Sequence, residues 1–208
     1  MSLFITFEGG EGCGKSVQSQ ALYRHFVRLQ KLVILVHEPG GTKLGKSISY
    51  LLKWSRNTGI SPLSELLLFN ASRANLVHEI IKPSLDSGKI VICDRFADST
   101  IAYQGYGRGL DLKTVKFACD IAVQSIKPDL TVLLDVPAKE GLSRKARMRA
   151  EGDRFEQADV AFHERVHKAY LKMAKDEPGR WFVVDGLQSR ETIKDIIWQR
   201  ISLLIGAR

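Results

Sequence analysis

The sequence predicts an α/β protein built on a parallel sheet with helices on both faces, and two observations carry that expectation. First, short apolar runs recur at Leu3–Glu8, Val33–His37, Ile90–Asp94, Leu130–Asp135 and Trp181–Asp185. Each is near-continuous in apolar residues rather than alternating, the pattern of a strand covered on both sides. Second, longer stretches of helical pattern separate them, over 15–30, 43–54, 62–87, 111–126, 138–175 and 189–205. Strand–helix alternation of this kind makes βαβ units. Ligands of such sheets bind beyond the carboxyl ends of the strands, so the residues after each strand matter most.

The element boundaries have local causes. Ser61 and Pro62 read as an N-cap followed by a first-turn proline. Pro83 sits inside the third helical stretch and is expected to kink or restart it. The long stretch 138–175 is expected to break near Gly152. With 208 residues, 44% hydrophobic and 26% charged, the chain can bury a core without staples and reads as one domain over 1–208. Its apolar runs, such as Leu32 to Val36, are too short to cross a bilayer. Met1 to Glu8 leads straight into a strand-like run, which argues against a secretory signal. Cys13, Cys93 and Cys119 lack metal-ligand spacing and read as free thiols in a reducing cytoplasm. The net charge of +8 favours a polyanionic partner: nucleic acid, an anionic membrane or nucleotides. It is also compatible with plain solubility charge.

After the first strand comes Gly9-Gly10-Glu11-Gly12-Cys13-Gly14-Lys15-Ser16, which fits G-x-x-x-x-G-K-[ST] and opens a helix. Glycines let backbone N–H groups turn inward to phosphate oxygens, and the helix N-terminus adds its dipole. Lys15 is placed to bridge the β- and γ-phosphates of a nucleoside triphosphate and Ser16 to hold Mg²⁺. The motif therefore predicts a P-loop fold. After the third strand, Asp94 is placed to meet Mg²⁺ through water, and Arg95 to grip a second phosphate. Ser99-Thr100-Ile101-Ala102-Tyr103-Gln104-Gly105 mixes polar groups with an aromatic, as a base or sugar lining does.

The most basic stretch is Arg144-Lys145-Ala146-Arg147-Met148-Arg149-Ala150-Glu151-Gly152-Asp153-Arg154. It reads as a mobile lid over about 141–154, as a nucleic-acid patch, or as a solvated helix end. The lid gains weight because positions 10–13 of the P-loop hold no basic residue. Without ligands its charges should repel and find few partners. His163-Glu164-Arg165-Val166-His167 matches the zinc-protease pattern H-E-x-x-H. The apolar stripe Phe162, Val166, Tyr170, Met173 leaves both histidines beside it, on an expected exposed helix edge, and no third ligand follows closely.

Taken in order, Phe7 to Ser16, Glu38-Pro39-Gly40-Gly41-Thr42, Leu66 to Arg73, Asp94-Arg95-Phe96, Ser99-Thr100 and Ala102-Tyr103-Gln104-Gly105 resemble the bacterial thymidylate kinases over nearly the whole chain. The resemblance implies a homodimeric α/β P-loop kinase with a five-stranded parallel sheet. It implies Mg²⁺-dependent transfer of the ATP γ-phosphoryl group to dTMP, giving dTDP on the route to dTTP. By position, Gly9, Gly10, Glu11, Gly12, Cys13, Gly14, Lys15 and Ser16 bind ATP, and Ser16 and Asp94 serve the metal. Glu11 faces the sugar 3′-hydroxyl of dTMP. Phe69 stacks on thymine, Arg73 bonds its edge, and Thr100 and Gln104 complete the base pocket. Tyr103 crowds out a ribose 2′-hydroxyl and Arg95 holds the acceptor phosphate. Cys13 within the loop points to the variant whose catalytic charge lies in the lid, on Arg144, Arg147 or Arg149. No nucleic-acid or membrane partner is expected. A GTPase switch is disfavoured because no N-K-x-D guanine motif occurs. A nucleic-acid-binding ATPase or another nucleotide kinase stands as the alternative.

Overall fold

The computed structural model describes residues 2–54, 59–148 and 153–206. Along the chain come β1 (Leu3–Glu8), α1 (Lys15–Arg28), β2 (Val33–His37), α2 (Lys43–Trp54) and α3 (Pro62–Leu76). A π-helical turn (Val77–Ile81) leads into α4 (Lys82–Asp86), then β3 (Ile90–Asp94), α5 (Ala97–Thr100) and a second π-helical turn (Ile101–Gly107). The chain continues through α6 (Leu112–Val123), β4 (Leu130–Asp135), α7 (Ala138–Met148), α8 (Val160–Asp176), β5 (Trp181–Asp185) and α9 (Arg190–Gly206). The strands lie where the apolar runs put them. They form one sheet in the order β2-β3-β1-β4-β5, and every pairing is parallel.

Alternate residues of β1 serve opposite layers. Leu3, Ile5 and Phe7 pack with Leu22 and Phe26 of α1 and with Ile193, Ile197 and Ile201 of α9. Phe4 faces the other way and packs with Val91, Leu76, Ile81 and Val123. A third cluster joins the α8 stripe Phe162, Val166 and Tyr170 to Ala102, Tyr103 and Trp181. Removing each such side chain from water contributes roughly 1.5–3 kcal/mol, so both layers are needed to hold the central strand.

Two expectations are corrected. The edge strands are not covered on both sides: most of β2 is only partly buried, and Val183 of β5 is exposed. Residues 97–107, read only as a polar lining, are helical. Their small and polar residues hide the periodicity, and the wide π turn is a feature common at functional sites. Within 138–175, α7 ends at Met148 and α8 starts at Val160, and Gly152 itself lies outside the described residues. Asp159 caps α8 by accepting from the Phe162 N–H. Pro83 stands in the first turn of α4, directly after a π turn, so the helical stretch restarts there as expected.

The start of α7 is pressed against the loop after β1. A Cβ built on Gly12, whose φ is +67°, would lie 2.0 Å from the Gly141 carbonyl oxygen. One on Gly141 would lie 2.1 Å from the Glu11 carbonyl oxygen. Helix propensity alone predicts that Gly141→Ala stabilises the protein, by about 1 kcal/mol. The close approach reverses the sign. The variant should lose about 1–3 kcal/mol through overpacking and melt at a lower temperature than the wild type. Thermal denaturation reads the result, and an unchanged or raised Tm would show that α7 yields freely.

Candidate active site

A cleft of about 920 Å³ opens beyond the carboxyl end of the sheet. All five strands lead residues into it: Glu11 to Gln20 after β1, Glu38 and Pro39 after β2, Asp94 to Phe96 after β3, Arg144, Lys145 and Arg147 after β4, and Gly186 and Gln188 to Arg190 after β5. Phe69 and Arg73 enter from α3, and Ser99, Thr100, Tyr103 and Gln104 from the helix after β3. Gly9 and Gly10 serve the cleft indirectly, through their carbonyls.

At one end of the cleft, Lys15 donates to the Gly9 and Gly10 carbonyl oxygens at 3.0 and 2.7 Å, with the Cys13 sulfur at 3.4 Å. Gly14 caps α1 in a left-handed conformation (φ +99°) with no side-chain acceptor. The first-turn N–H groups of a helix capped this way are offered to an anion. The Ser16 hydroxyl donates to Asp94 Oδ2 at 2.5 Å. These two oxygen donors fit Mg²⁺, a hard cation that keeps most of its waters and leans on substrate phosphates rather than on an all-protein cage. Among the described residues no group of three or more His, Cys, Asp or Glu side chains is placed to hold a metal by itself.

Facing the loop, Arg95 is gripped from several sides. Its Nη1 donates to the Gly9 carbonyl at 3.2 Å and to Ser99 Oγ at 3.3 Å. Its Nη2 donates to Glu11 Oε1 at 2.7 Å and to the Tyr103 hydroxyl at 3.2 Å, and that hydroxyl donates to Glu11 at 2.7 Å. The Arg95 backbone is left-handed, with φ +70°. For a non-glycine residue this is strain of the kind held at functional sites. Burial pushes the Glu11 carboxyl up, but Arg95 and Lys15 outweigh it and hold the group at about 2.

Glu8 is a residue that sequence reading passed over. It is fully buried at the end of β1, and it accepts from the Phe96 N–H at 2.7 Å, Ser99 Oγ at 2.6 Å and the Tyr170 hydroxyl at 2.9 Å. It thereby fixes the backbone next to Arg95. Burial, then the charge of Asp98, push its carboxyl up to about 7, against the hydrogen bonds and the Arg95 charge that favour the anion.

On the other side, Phe69 meets Phe155 edge-on at 5.6 Å. Arg73 lines the cleft but is 1% exposed. Its nitrogens already donate to Glu38 Oε2 (2.8 Å), Asn70 Oδ1 (3.0 Å), the Phe96 carbonyl (3.2 Å) and Thr100 Oγ1 (2.8 Å). A base edge therefore has to share a donor with Thr100 or displace it. The Glu38 Oε1 atom is buried without a partner among the described residues. Gln104 is held by the buried Glu65. Glu38, Glu65 and Phe155 were not singled out from sequence; only the Glu38-Pro39-Gly40-Gly41-Thr42 motif hinted at the first.

The basic stretch is not short of partners, contrary to expectation. Arg144 pairs with Glu140 and donates to the Gly186 carbonyl at 3.0 Å, Lys145 pairs with Glu156, and Arg154 pairs with Glu65. Composition counted the charges of this segment but not the carboxylates that the fold brings to it. Arg147 lines the cleft, and Arg149 lies outside the described residues. The two histidines of the H-E-x-x-H match do not form an exposed edge. His163 is buried, with Nε2 unpartnered among the described residues, and His167 Nε2 lies 2.6 Å from Asp135 Oδ1.

The raised Glu8 carboxyl predicts a pH signature. A folded-state value above the unfolded 4.5 means that the native protein keeps a proton the unfolded chain sheds. That stability is present below pH 4.5 and is lost as pH rises towards about 7. Glu8→Gln should abolish this slope. The Tm of wild type relative to the variant should therefore fall across that window, and parallel melting curves would overturn the assignment.

Comparison with known proteins agrees with this geometry. A family model described as thymidylate kinase matches residues 7–197. The thymidylate kinase of Dehalococcoides mccartyi strain CBDB1 is 53% identical over 208 residues, which is 100% of this chain and 99% of that protein. That of Geotalea uraniireducens strain Rf4 is 47% identical over 193 residues, covering 90% and 91% of the two chains. Among solved structures, the crystal structure of thymidylate kinase from Ehrlichia chaffeensis superposes with a TM-score of 0.78 at 37% identity, over 96% of this chain and 98% of that one. A match of this extent, on a P-loop that faces a half-buried arginine and an aromatic pocket across one cleft, means that the chain belongs to the thymidylate kinase family.

Proposed function

We propose that this chain transfers the γ-phosphoryl group of ATP to the phosphate of dTMP, releasing ADP and dTDP, and so feeds the supply of dTTP. The observation that carries this reading is one cleft with a P-loop at one end and the Arg95, Glu11 and Tyr103 cluster with the Phe69 and Arg73 wall at the other.

Two polyanions must be brought together, and transfer needs positioning and charge stabilisation more than covalent chemistry. In this reading Lys15 leaves the loop carbonyls for the ATP phosphates, and the N–H groups of the P-loop cradle them. Arg95, already desolvated, holds the acceptor phosphate in line without reorganising. Glu11 and Tyr103 bracket the sugar, and Phe69, Arg73, Thr100 and Gln104 read the base. Ser16 and Asp94, together with the substrate phosphates, would hold Mg²⁺, which would supply charge neutralisation there. Arg144, Arg147 and Arg149 belong to a lid over 141–154 of a single catalytic domain, with Arg147 or Arg149 acting mainly in the transition state.

The finer setting is proposed on narrower grounds. Leu63 and Leu67 of α3 and Phe117 and Ile121 of α6 are exposed on two adjacent helices, an apolar face that suits a homodimer and that sedimentation would read. Three cations of the basic stretch, Arg144, Lys145 and Arg154, are already paired with carboxylates, which favours nucleotides over nucleic acid as the polyanion. No helix among the described residues is long and apolar enough to cross a membrane. The three free cysteines suit the reducing cytoplasm.

An ADP-release assay with ATP and a panel of nucleoside monophosphates tests the reaction. dTMP should be the best acceptor, ahead of UMP, CMP, AMP and GMP. A single methyl group is worth about 1–3 kcal/mol, so dUMP should react slowly. Equal turnover of dTMP and AMP would overturn the reading. Lys15→Ala should fold and lose roughly 10²–10³ in kcat, the usual loss for a missing electrostatic stabiliser. A near-normal kcat in that variant would remove the loop from the chemistry.

A further inference from the structure

Glu65 sits on α3 behind the base side of the cleft, only 1% exposed, and it is not among the cleft-lining residues. Its carboxylate collects donors from three places. Gln104 Nε2 reaches Oε1 at 2.8 Å. Arg108 offers Nε to Oε1 at 3.2 Å and Nη2 to Oε2 at 3.3 Å. Arg154 Nη2 closes on Oε2. Arg154 is itself fixed by donating Nε to the Leu52 carbonyl at 3.0 Å, and the Arg108 guanidinium stands 4.8 Å from the centre of the Phe162 ring. The carboxylate therefore has little freedom to move.

A carboxylate accepts and cannot donate, whereas a glutamine amide has one end of each kind. Gln104 must turn its NH₂ to Glu65. Its carbonyl oxygen is then left for the cleft, and no donor among the described residues engages it. Without Glu65 the two ends of the amide are nearly isosteric and the group can flip. The direction matters because pyrimidines differ at one ring atom. Thymine and uracil carry a donor at N3, and cytosine carries an acceptor there. A carbonyl oxygen facing the base edge pairs with the first two and opposes the third.

We propose that Glu65 is a specificity-determining positioning residue: without touching the nucleotide, it fixes which end of the Gln104 amide faces the base and so selects pyrimidines with an N3–H over cytosine. This rests on the reading of the cleft as a dTMP site. Arg108 and Arg154 hold the charge of Glu65 in place, so Glu65 stays an acceptor while the amide answers to it.

The test compares kcat/KM for dTMP and dCMP in wild type, Glu65→Gln and Gln104→Met. Glu65→Gln offers Gln104 either amide end, so the dTMP-to-dCMP ratio should fall by about tenfold or more. A merely structural role would lower both activities together and leave the ratio alone. Should Glu65→Gln fail to fold, two other readings decide. Gln104→Met must show the lowered ratio, and 3-methylthymidine 5′-monophosphate, which lacks the N3–H, must fail to compete with dTMP on the wild-type enzyme. An unchanged ratio in either variant, or competition by the methylated nucleotide as strong as that of dTMP itself, overturns the proposal. A wild-type chain that does not phosphorylate dTMP would instead defeat the reading of the cleft. The two failures are therefore distinct.

Discussion

The Arg95 guanidinium can stand in the middle of the cleft only because Glu11, Tyr103 and the Gly9 carbonyl hold it there. A cation taken out of water costs several kcal/mol unless a carboxylate and hydrogen bonds come with it. The same constraint recurs elsewhere in the fold. Arg73 is matched by Glu38, Arg108 and Arg154 by Glu65, and Arg180 by Asp98. Such pairs are weak evidence for stability, since apolar residues of the same volume often do as well. They do fix direction. A phosphate entering this cleft meets donors that are already oriented, which is what stabilising transient charge requires.

The backbone accommodates that arrangement at a local cost. Arg95 takes a left-handed conformation, and the N–H of the next residue, Phe96, is tied to the buried Glu8. Glu8 also meets Ser99, which meets Arg95, and Tyr170, which belongs to the α8 core. Packing of α8 against the sheet is thus transmitted to Arg95 through one carboxyl group. The close contact of Gly12 with Gly141 does the corresponding work on the other side, placing the start of α7, and with it the basic stretch, directly on the P-loop.

Charge counting and charge placement led to different expectations for the basic stretch. The +8 balance and the run of arginines suggested a segment waiting for phosphate. In the fold, Arg144, Lys145 and Arg154 already have carboxylate partners, two of them within twelve residues and one, Glu65, far along the chain. A phosphate drawn to Arg144 or Lys145 would have to displace those carboxylates rather than relieve a repulsion. Arg147 lines the cleft with no such pairing among the described residues.

The strands and the P-loop were legible because their signals are local. A run of apolar residues marks a strand whatever it packs against, and G-x-x-x-x-G-K-S dictates its own loop. Phe69 and Arg73 were named through the family resemblance, and the fold does bring both to the cleft from α3. Glu8, Glu38 and Glu65 were not found as site residues, since a glutamate beside an apolar run looks the same whether solvent or a buried arginine waits for it. Their partners lie 88, 35 and 39 residues away in sequence. The helix over 97–107 was hidden for a related reason: its polar face turns inward to the cleft, so no solvent-facing pattern marks it. Sequence alone determined the sheet and the P-loop, through backbone geometry and residue type. The tertiary structure decided which buried carboxylate meets which cation, because that pairing depends on contacts between distant segments that no local pattern encodes.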